Sequence, residues 1–101
     1  MDTARSQNGV PIRLTDERWV HIIEGHCELA GRYSDVLETV EDPEAIYEGC
    51  ADELLAVRKT PTGKHLVVVY RELSGADGFV ITAFLTGRLA RLRRRKRLWP
   101  L

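Results

Sequence analysis

Residues 54–86 constrain the fold most, because they contain three separate runs rich in strand-favouring side chains. The runs are 54–59, 65–72 and 79–86, and the turn-like segments 60–63 and 74–78 separate them. Valines dominate the second run and β-branched or aromatic residues the third, and such side chains fit a pleated sheet better than a helix. We therefore predict an antiparallel meander of three strands.

The register of this meander is predicted from its hydrophobic pattern. If Lys59 pairs with Lys64 and Glu72 pairs with Phe79, the apolar residues of all three strands share one face, since side chains alternate along a strand. That face requires a covering layer. A slip of one residue would move polar groups into the core, so the pattern favours this register.

The opposite face is predicted to carry the polar side chains of the sheet. Its members are Arg58, His65, Val69, Arg71, Thr82, Phe84 and Thr86. In this register Arg58, His65 and Thr86 form one row across the strands. Such a row is either the solvated surface that an antiparallel sheet normally presents or the centre of a functional site.

The charges are distributed unevenly although the formal net charge is zero. All 15 acidic residues and eight of the 15 basic residues precede Gly87, so that part of the chain carries −7. The remaining +7 comes from Arg88, Arg91, Arg93, Arg94, Arg95, Lys96 and Arg97. Positive charges packed this densely repel one another, which favours contact with a nucleic acid over a solvated tail.

Composition narrows the class of protein further. A chain of 101 residues, 44% of them hydrophobic, has enough apolar material for one modest core. No apolar run approaches the length of a membrane span and residues 1–13 lack the apolar region of a signal peptide, so we expect a cytoplasmic protein with no membrane partner. Cys27, Cys50 and the three histidines lack the short spacing of zinc ligands, so we expect no metal and no cofactor.

The first half of the chain predicts two helices. Residues 1–11 read as a flexible lead-in. Thr15, followed by two acidic residues, is a good helix start, and a second helix begins near residue 34 and stops before Pro43. The predicted class is α+β: two N-terminal helices packed on one face of an antiparallel sheet of about four strands. This domain covers 12–87, and a basic C-terminal arm covers 88–101.

Several segments, taken in order, resemble one family. They are residues 12–19 (IRLTDERW), 21–23 with His26, 36–39 (VLET) before 42–44 (DPE), 65–69 (HLVVV), 80–84 (VITAF) and a final Leu98-Trp99. Their order and spacing resemble the phage-type barnase–EndoU–colicin–RelE-like nuclease fold group. Two positions depart from its pattern, since Cys27 stands where a proline is usual and Phe84 where a tyrosine is common.

The resemblance implies a small metal-independent ribonuclease, often the toxin of a phage or mobile element. In that group a helix histidine, basic strand residues and a hydroxyl near the last strand carry the site. By position these residues would be His21 or His26, Arg58 or Lys59, and Thr82 or Thr86. Together with His65 of the polar row, the catalytic candidates are Arg58, Thr82, His26, His21, Thr86 and His65. The candidate nucleic-acid-binding residues are Lys59, Arg71 and the seven basic residues of the arm.

Our functional prediction is an endoribonuclease that cleaves RNA through the 2′-OH. We expect RNA rather than DNA as the ligand. An inhibitor or antitoxin protein and a second copy of the chain are the expected protein partners. The alternative is a non-catalytic nucleic-acid-binding or protein-interaction module that retains the fold. One geometric difficulty stands out: the helices should cover the apolar face, so a helix histidine reaches the polar row only at a sheet edge or across a strong twist.

Overall fold

The computed structural model describes all 101 residues and contains one mixed sheet with helices on both faces. The strands are β1 (Asp2–Arg5), β2 (Pro11–Leu14), β3 (Ala45–Glu48), β4 (Leu54–Lys59), β5 (His65–Ser74), β6 (Asp77–Thr86) and β7 (Arg97–Trp99). The helices are α1 (Asp16–Gly25), α2 (Tyr33–Glu41) and α3 (Leu89–Arg93), and a 3₁₀ turn spans Cys27–Leu29.

The sheet has the strand order β1-β2-β6-β5-β4-β3-β7, and every pair is antiparallel except β2 with β6, which is parallel. The predicted class of two N-terminal helices on an antiparallel sheet of about four strands is therefore wrong. It has too few strands, and it lacks the parallel pair and the third helix. The unpredicted strands β1 and β7 have four and three residues, too few to show a clear alternation in the sequence.

The meander itself is confirmed as β4, β5 and β6. The predicted register between β5 and β6 is also confirmed at the end of this hairpin that lies away from its turn. There His65 lies opposite Thr86, and Val68 lies opposite Ala83. A β-bulge then shifts the pairing after Val69, so that Tyr70 lies opposite Val80. The predicted pairing of Glu72 with Phe79 is therefore wrong, because Glu72 lies opposite Gly78. The extra residue in β6 reverses the alternation of the strand, so that Val80 joins the first-face core.

The predicted register between β4 and β5 is wrong by one residue, because Lys59 lies opposite His65. The cause is the turn. The N–H of Thr60 donates to the oxygen of Lys64 at 2.8 Å, and Gly63 has a φ of +88°, the left-handed residue of a three-residue hairpin loop. A shift of one residue places every β4 side chain on the face opposite to the predicted one.

Helices α1 and α2 cover what we name the first face of the sheet. Their start and stop signals work as predicted: Thr15 accepts a hydrogen bond from the N–H of Arg18 at 3.1 Å, and α2 ends at Glu41, ahead of Pro43. The core of this face comprises Ala4, Val10, Ile12, Leu14, Ile22, Leu29, Val36, Val40, Ala56, Leu66, Val68, Tyr70, Val80 and Ala83.

The opposite side, which we name the second face, is partly covered by α3. A smaller core forms there from Tyr47, Leu55, Val57, Val67 and Leu92. The centres of β4 and β5 are consequently buried on both sides. On β4 and β5, polar side chains remain on the second face only towards the ends of the strands.

Both chain ends are more ordered than we predicted. The supposed lead-in contributes β1, whose Ala4 is 2% exposed, and the Glu72 carboxylate accepts hydrogen bonds from Ser6 Oγ at 2.5 Å and Asn8 Nδ2 at 2.9 Å. The basic arm forms α3 and then β7 beside β3. None of the helices has both the length and the apolar composition needed to cross a membrane.

Candidate nucleic-acid interface

One row of polar side chains lies at an end of the second face. Lys59, His65 and Thr86 are direct cross-strand partners on β4, β5 and β6. Lys59 is exposed, and the other two are half-buried. Neighbouring residues across a sheet have Cβ atoms about 5 Å apart, so an ammonium, an imidazole and a hydroxyl form one group here. The predicted row exists, but Lys59 takes the place assigned to Arg58.

His26 approaches this face at the outer edge of β6. The short strand β2 pairs with β6 only at Gly78 and Phe79, so the rest of that edge has no strand neighbour. The C-terminal end of α1 lies there instead, and the His26 ring centroid is 6.2 Å from that of Phe84, with the planes tilted by 37°. The predicted route for a helix histidine, past a sheet edge, is the one observed.

A carboxylate stands behind this imidazole. Glu28 Oε2 lies 3.6 Å from His26 Nδ1, which makes an ion pair whenever the ring is protonated. A carboxylate on one ring nitrogen favours the proton there and leaves Nε2 for other partners. Sequence reasoning missed Glu28, although its position two residues after His26 was the available signal.

The basic arm starts at the end of β6 and crosses the same face to β7, at the other edge of the sheet. All seven side chains from Arg88 to Arg97 are exposed, and none forms an ion pair with a carboxylate of this chain. The turn into the arm is held by Thr86, whose Oγ1 accepts a hydrogen bond from the N–H of Arg88 at 3.0 Å. Arg95 instead donates to the backbone oxygen of Glu48 at 3.4 Å and to Cys50 Sγ at 3.2 Å.

Two catalytic candidates lie away from this group. Arg58 lies on the first face, where its Nη1 is 3.0 Å from Glu38 Oε1 of α2, an ion pair whose angles are not those of a hydrogen bond. It lines a polar cleft of about 490 Å³ between α2 and β4 that contains carboxylates as well as cations. His21 is exposed on α1, in a shallow depression with Thr15 and Arg18.

Thr82 and Arg71 do lie on the second face, but farther along the strands. Thr82 is half-buried opposite Val69, four residues from Thr86 on the same strand. Arg71 donates from Nη2 to the backbone oxygen of Ala51, and its buried Nε has no partner. Arg71 is therefore tied to the loop before β4 and is a poorer phosphate ligand than predicted.

The groups with shifted pKa values lie outside the row. Burial, and then a hydrogen bond to Asp2, raises the pKa of Tyr33. Backbone N–H donors, that of Ala51 foremost, lower the pKa of Glu53. Burial raises the pKa of Tyr70 in the first-face core. No group of three or more His, Cys, Asp or Glu side chains is arranged to hold a metal ion.

Comparisons with family models, curated proteins and solved structures found no match to this chain. The resemblance to the barnase–EndoU–colicin–RelE-like group therefore stays a prediction from sequence motifs. The surface described above brings two imidazoles and a hydroxyl together along the end of β6. The cations of the arm extend from there across the second face to β7, at the other edge of the sheet.

Proposed function

We propose that the chain binds RNA on the second face and cleaves it without a metal ion. One observation carries this proposal. His26 and His65, which are distant in sequence, flank the same short segment of β6: His26 lies beside Phe84, and His65 lies opposite Thr86. Unpaired cations of the arm follow immediately at Arg88.

The two histidines supply the proton transfers that this reaction needs. One imidazole takes the proton of the 2′-OH, whose oxygen attacks the adjacent phosphorus. The other, protonated, gives a proton to the departing 5′-oxygen, so the products are a 2′,3′-cyclic phosphate and a 5′-hydroxyl. Imidazoles suit both roles near neutral pH. Glu28 would keep His26 oriented.

Charge for the transition state must come from Lys59 and the arm. Arg58, one of the catalytic candidates from the sequence, lies on the first face, paired with Glu38. Lys59 belongs to the row itself, and its exposed ammonium can approach a phosphate as a point charge. Stabilising the developing negative charge on the phosphorane is the task of such a group.

The test is incubation of labelled RNA with purified protein in EDTA, with binding and cleavage scored in the same samples. We expect cleavage that His26→Ala or His65→Ala lowers by at least about 100-fold, the usual contribution of a general acid or base. His21→Ala is the matched control and should leave the rate unchanged, because His21 is exposed on α1 in a depression that contains no residue of the row. Equal rates in all three variants would refute the assignment of the histidines.

A non-catalytic nucleic-acid-binding module is the second candidate. The pairing of Arg58 with Glu38 on the first face favours this non-catalytic alternative, because no arginine of the sheet then lies near the row on the second face. This reading expects salt-sensitive RNA binding with no cleavage products in the same assay. It also expects full binding by the two histidine variants.

The wider context remains part of the same proposal. A cytoplasmic location, an inhibitor or antitoxin protein, pairing with a second copy of the chain and an origin in a phage or mobile element are what the motif resemblance implies. Growth arrest on expression of the wild-type chain, relieved by His65→Ala, would support the toxin interpretation. Arrest that persists in that variant would count against it.

A further inference from the structure

We infer that Phe84, together with His26, forms a stacking site for one unpaired nucleobase, so that the RNA bound here is single-stranded. This inference rests on the proposed function and names the form of its substrate. Phe84 packs against the smaller core on the second face and is half-buried, so part of its side chain stays accessible. Nucleobases commonly stack on an aromatic side chain that is packed against a core and has part of its ring accessible.

The position of His26 extends this platform. A centroid separation of 6.2 Å and a tilt of 37° place the imidazole beside the phenyl ring, as in an aromatic pair. The His26 side chain is 39% exposed, so the pair forms an accessible aromatic surface at the edge of β6. No strand covers this edge beyond Phe79.

The surroundings favour a nucleotide over another aromatic ligand. Thr82 and Thr86 lie two residues on either side of Phe84 on the same face, and threonine hydroxyls can donate to and accept from base edges. Lys59 and Arg88 stand at one end of this group, where the phosphates of a bound strand would be neutralised.

A duplex does not fit such a site. Bases in an A-form helix are stacked on one another and present only their edges in the grooves, whereas loops and single strands can turn a base face towards a protein ring. The aromatic pair contributes only when a base face is free, while the cations bind either form of RNA. The site therefore selects unpaired RNA through stacking and holds it through charge.

The first experiment uses the wild-type protein and three oligonucleotides of equal length, all 2′-O-methylated so that cleavage does not interfere. They are a single strand, the same strand with abasic positions and the corresponding duplex. Stacking of one base predicts that the plain single strand binds about tenfold more tightly than either of the others. Equal affinity for all three would overturn the inference while leaving RNA binding intact.

The second experiment compares Phe84→Leu with Phe79→Leu. Phe79 is also a half-buried phenylalanine of β6 on the second face, so the pair controls for loss of an aromatic ring in the strand. We expect Phe84→Leu to lose the tenfold preference for single strands but keep duplex binding, and Phe79→Leu to behave as wild type. A preference retained in Phe84→Leu would refute the stacking site. Absence of RNA binding by the wild-type protein would refute the proposed function and this inference together.

Discussion

Replacing Tyr70 with phenylalanine is expected to stabilise the protein. The Tyr70 side chain is fully buried in the first-face core, and its hydroxyl has no hydrogen-bond partner. A buried hydroxyl without a partner costs about 1–3 kcal/mol of desolvation, whereas phenylalanine keeps the contacts of the ring. Loss of one oxygen leaves a small void that offsets part of the gain, so we expect a net stabilisation of about 1 kcal/mol.

Denaturant-induced unfolding of wild type and Tyr70→Phe at neutral pH measures this difference. The midpoint should rise with an unchanged m-value. Tyr33→Phe is a matched control with the opposite sign, because the Tyr33 hydroxyl donates to Asp2 Oδ2 at 2.8 Å. Its loss should lower the free energy of unfolding by about 0.5–1 kcal/mol. A Tyr70→Phe variant less stable than wild type would show that the hydroxyl is hydrogen-bonded in solution, and the reasoning would fail.

The same tyrosine predicts a dependence of stability on pH. Burial, and then the negative charge of Glu72, raises the pKa of Tyr70 above its ordinary value of 10.0. Above pH 10 the unfolded chain releases the phenolic proton while the folded chain retains it, so stability falls by up to about 1.4 kcal/mol per pH unit. Below pH 10 this residue contributes no slope. Tyr70→Phe should lack that part of the decline, and curves that fall in parallel would contradict the assignment.

Three further outcomes are expected. Gly78→Ala should lower the free energy of unfolding by about 2 kcal/mol, because a Cβ there would lie 2.6 Å from the backbone oxygen of Arg71; an unchanged denaturation midpoint would contradict this. Leu92→Ala should cost about 2 kcal/mol and speed amide exchange in α3 while α1 stays protected, since Leu92 is the buried residue of α3; exchange at wild-type rates would exclude it as the anchor. Single-stranded RNA affinity should fall by as much as about 10³-fold between 50 and 200 mM salt if all seven cations of the arm contact phosphates, and a flat salt response would rule out the arm as the interface.

Prediction succeeded where the signal was local. Thr15 begins α1 because its hydroxyl and the acidic residues after it satisfy the free N–H groups of the first turn. The meander was recognisable because three runs of strand-favouring residues alternate with turn residues. The faces of β5 and the end of β6 followed from alternation alone, so His65 and Thr86 were correctly paired before the fold was known.

Prediction failed where one residue or a distant contact decided the outcome. With left-handed Gly63, Thr60 pairs with Lys64 around a three-residue loop, one residue shorter than the predicted turn 60–63. This difference alone transfers Arg58 to the first face and brings Lys59 into the row. The geometry of a single turn therefore removes Arg58 from the candidate site. Side chains alternate between the two faces of a sheet. An error of one residue in the register therefore places every side chain of the strand on the wrong face.

The sequence by itself determined the kinds of element and the charge asymmetry, since both depend on neighbours in the chain. Tertiary structure alone decided that a four-residue strand lies parallel to β6 and leaves the rest of its edge open, and that the end of α1 brings His26 to Phe84 there. It also decided that the arm folds onto the second face through Leu92 while its cations stay exposed. These outcomes depend on which surfaces bury apolar area against each other. Contacts between residues far apart in the chain do not produce a hydrophobic periodicity within any one segment, so the sequence pattern does not predict them.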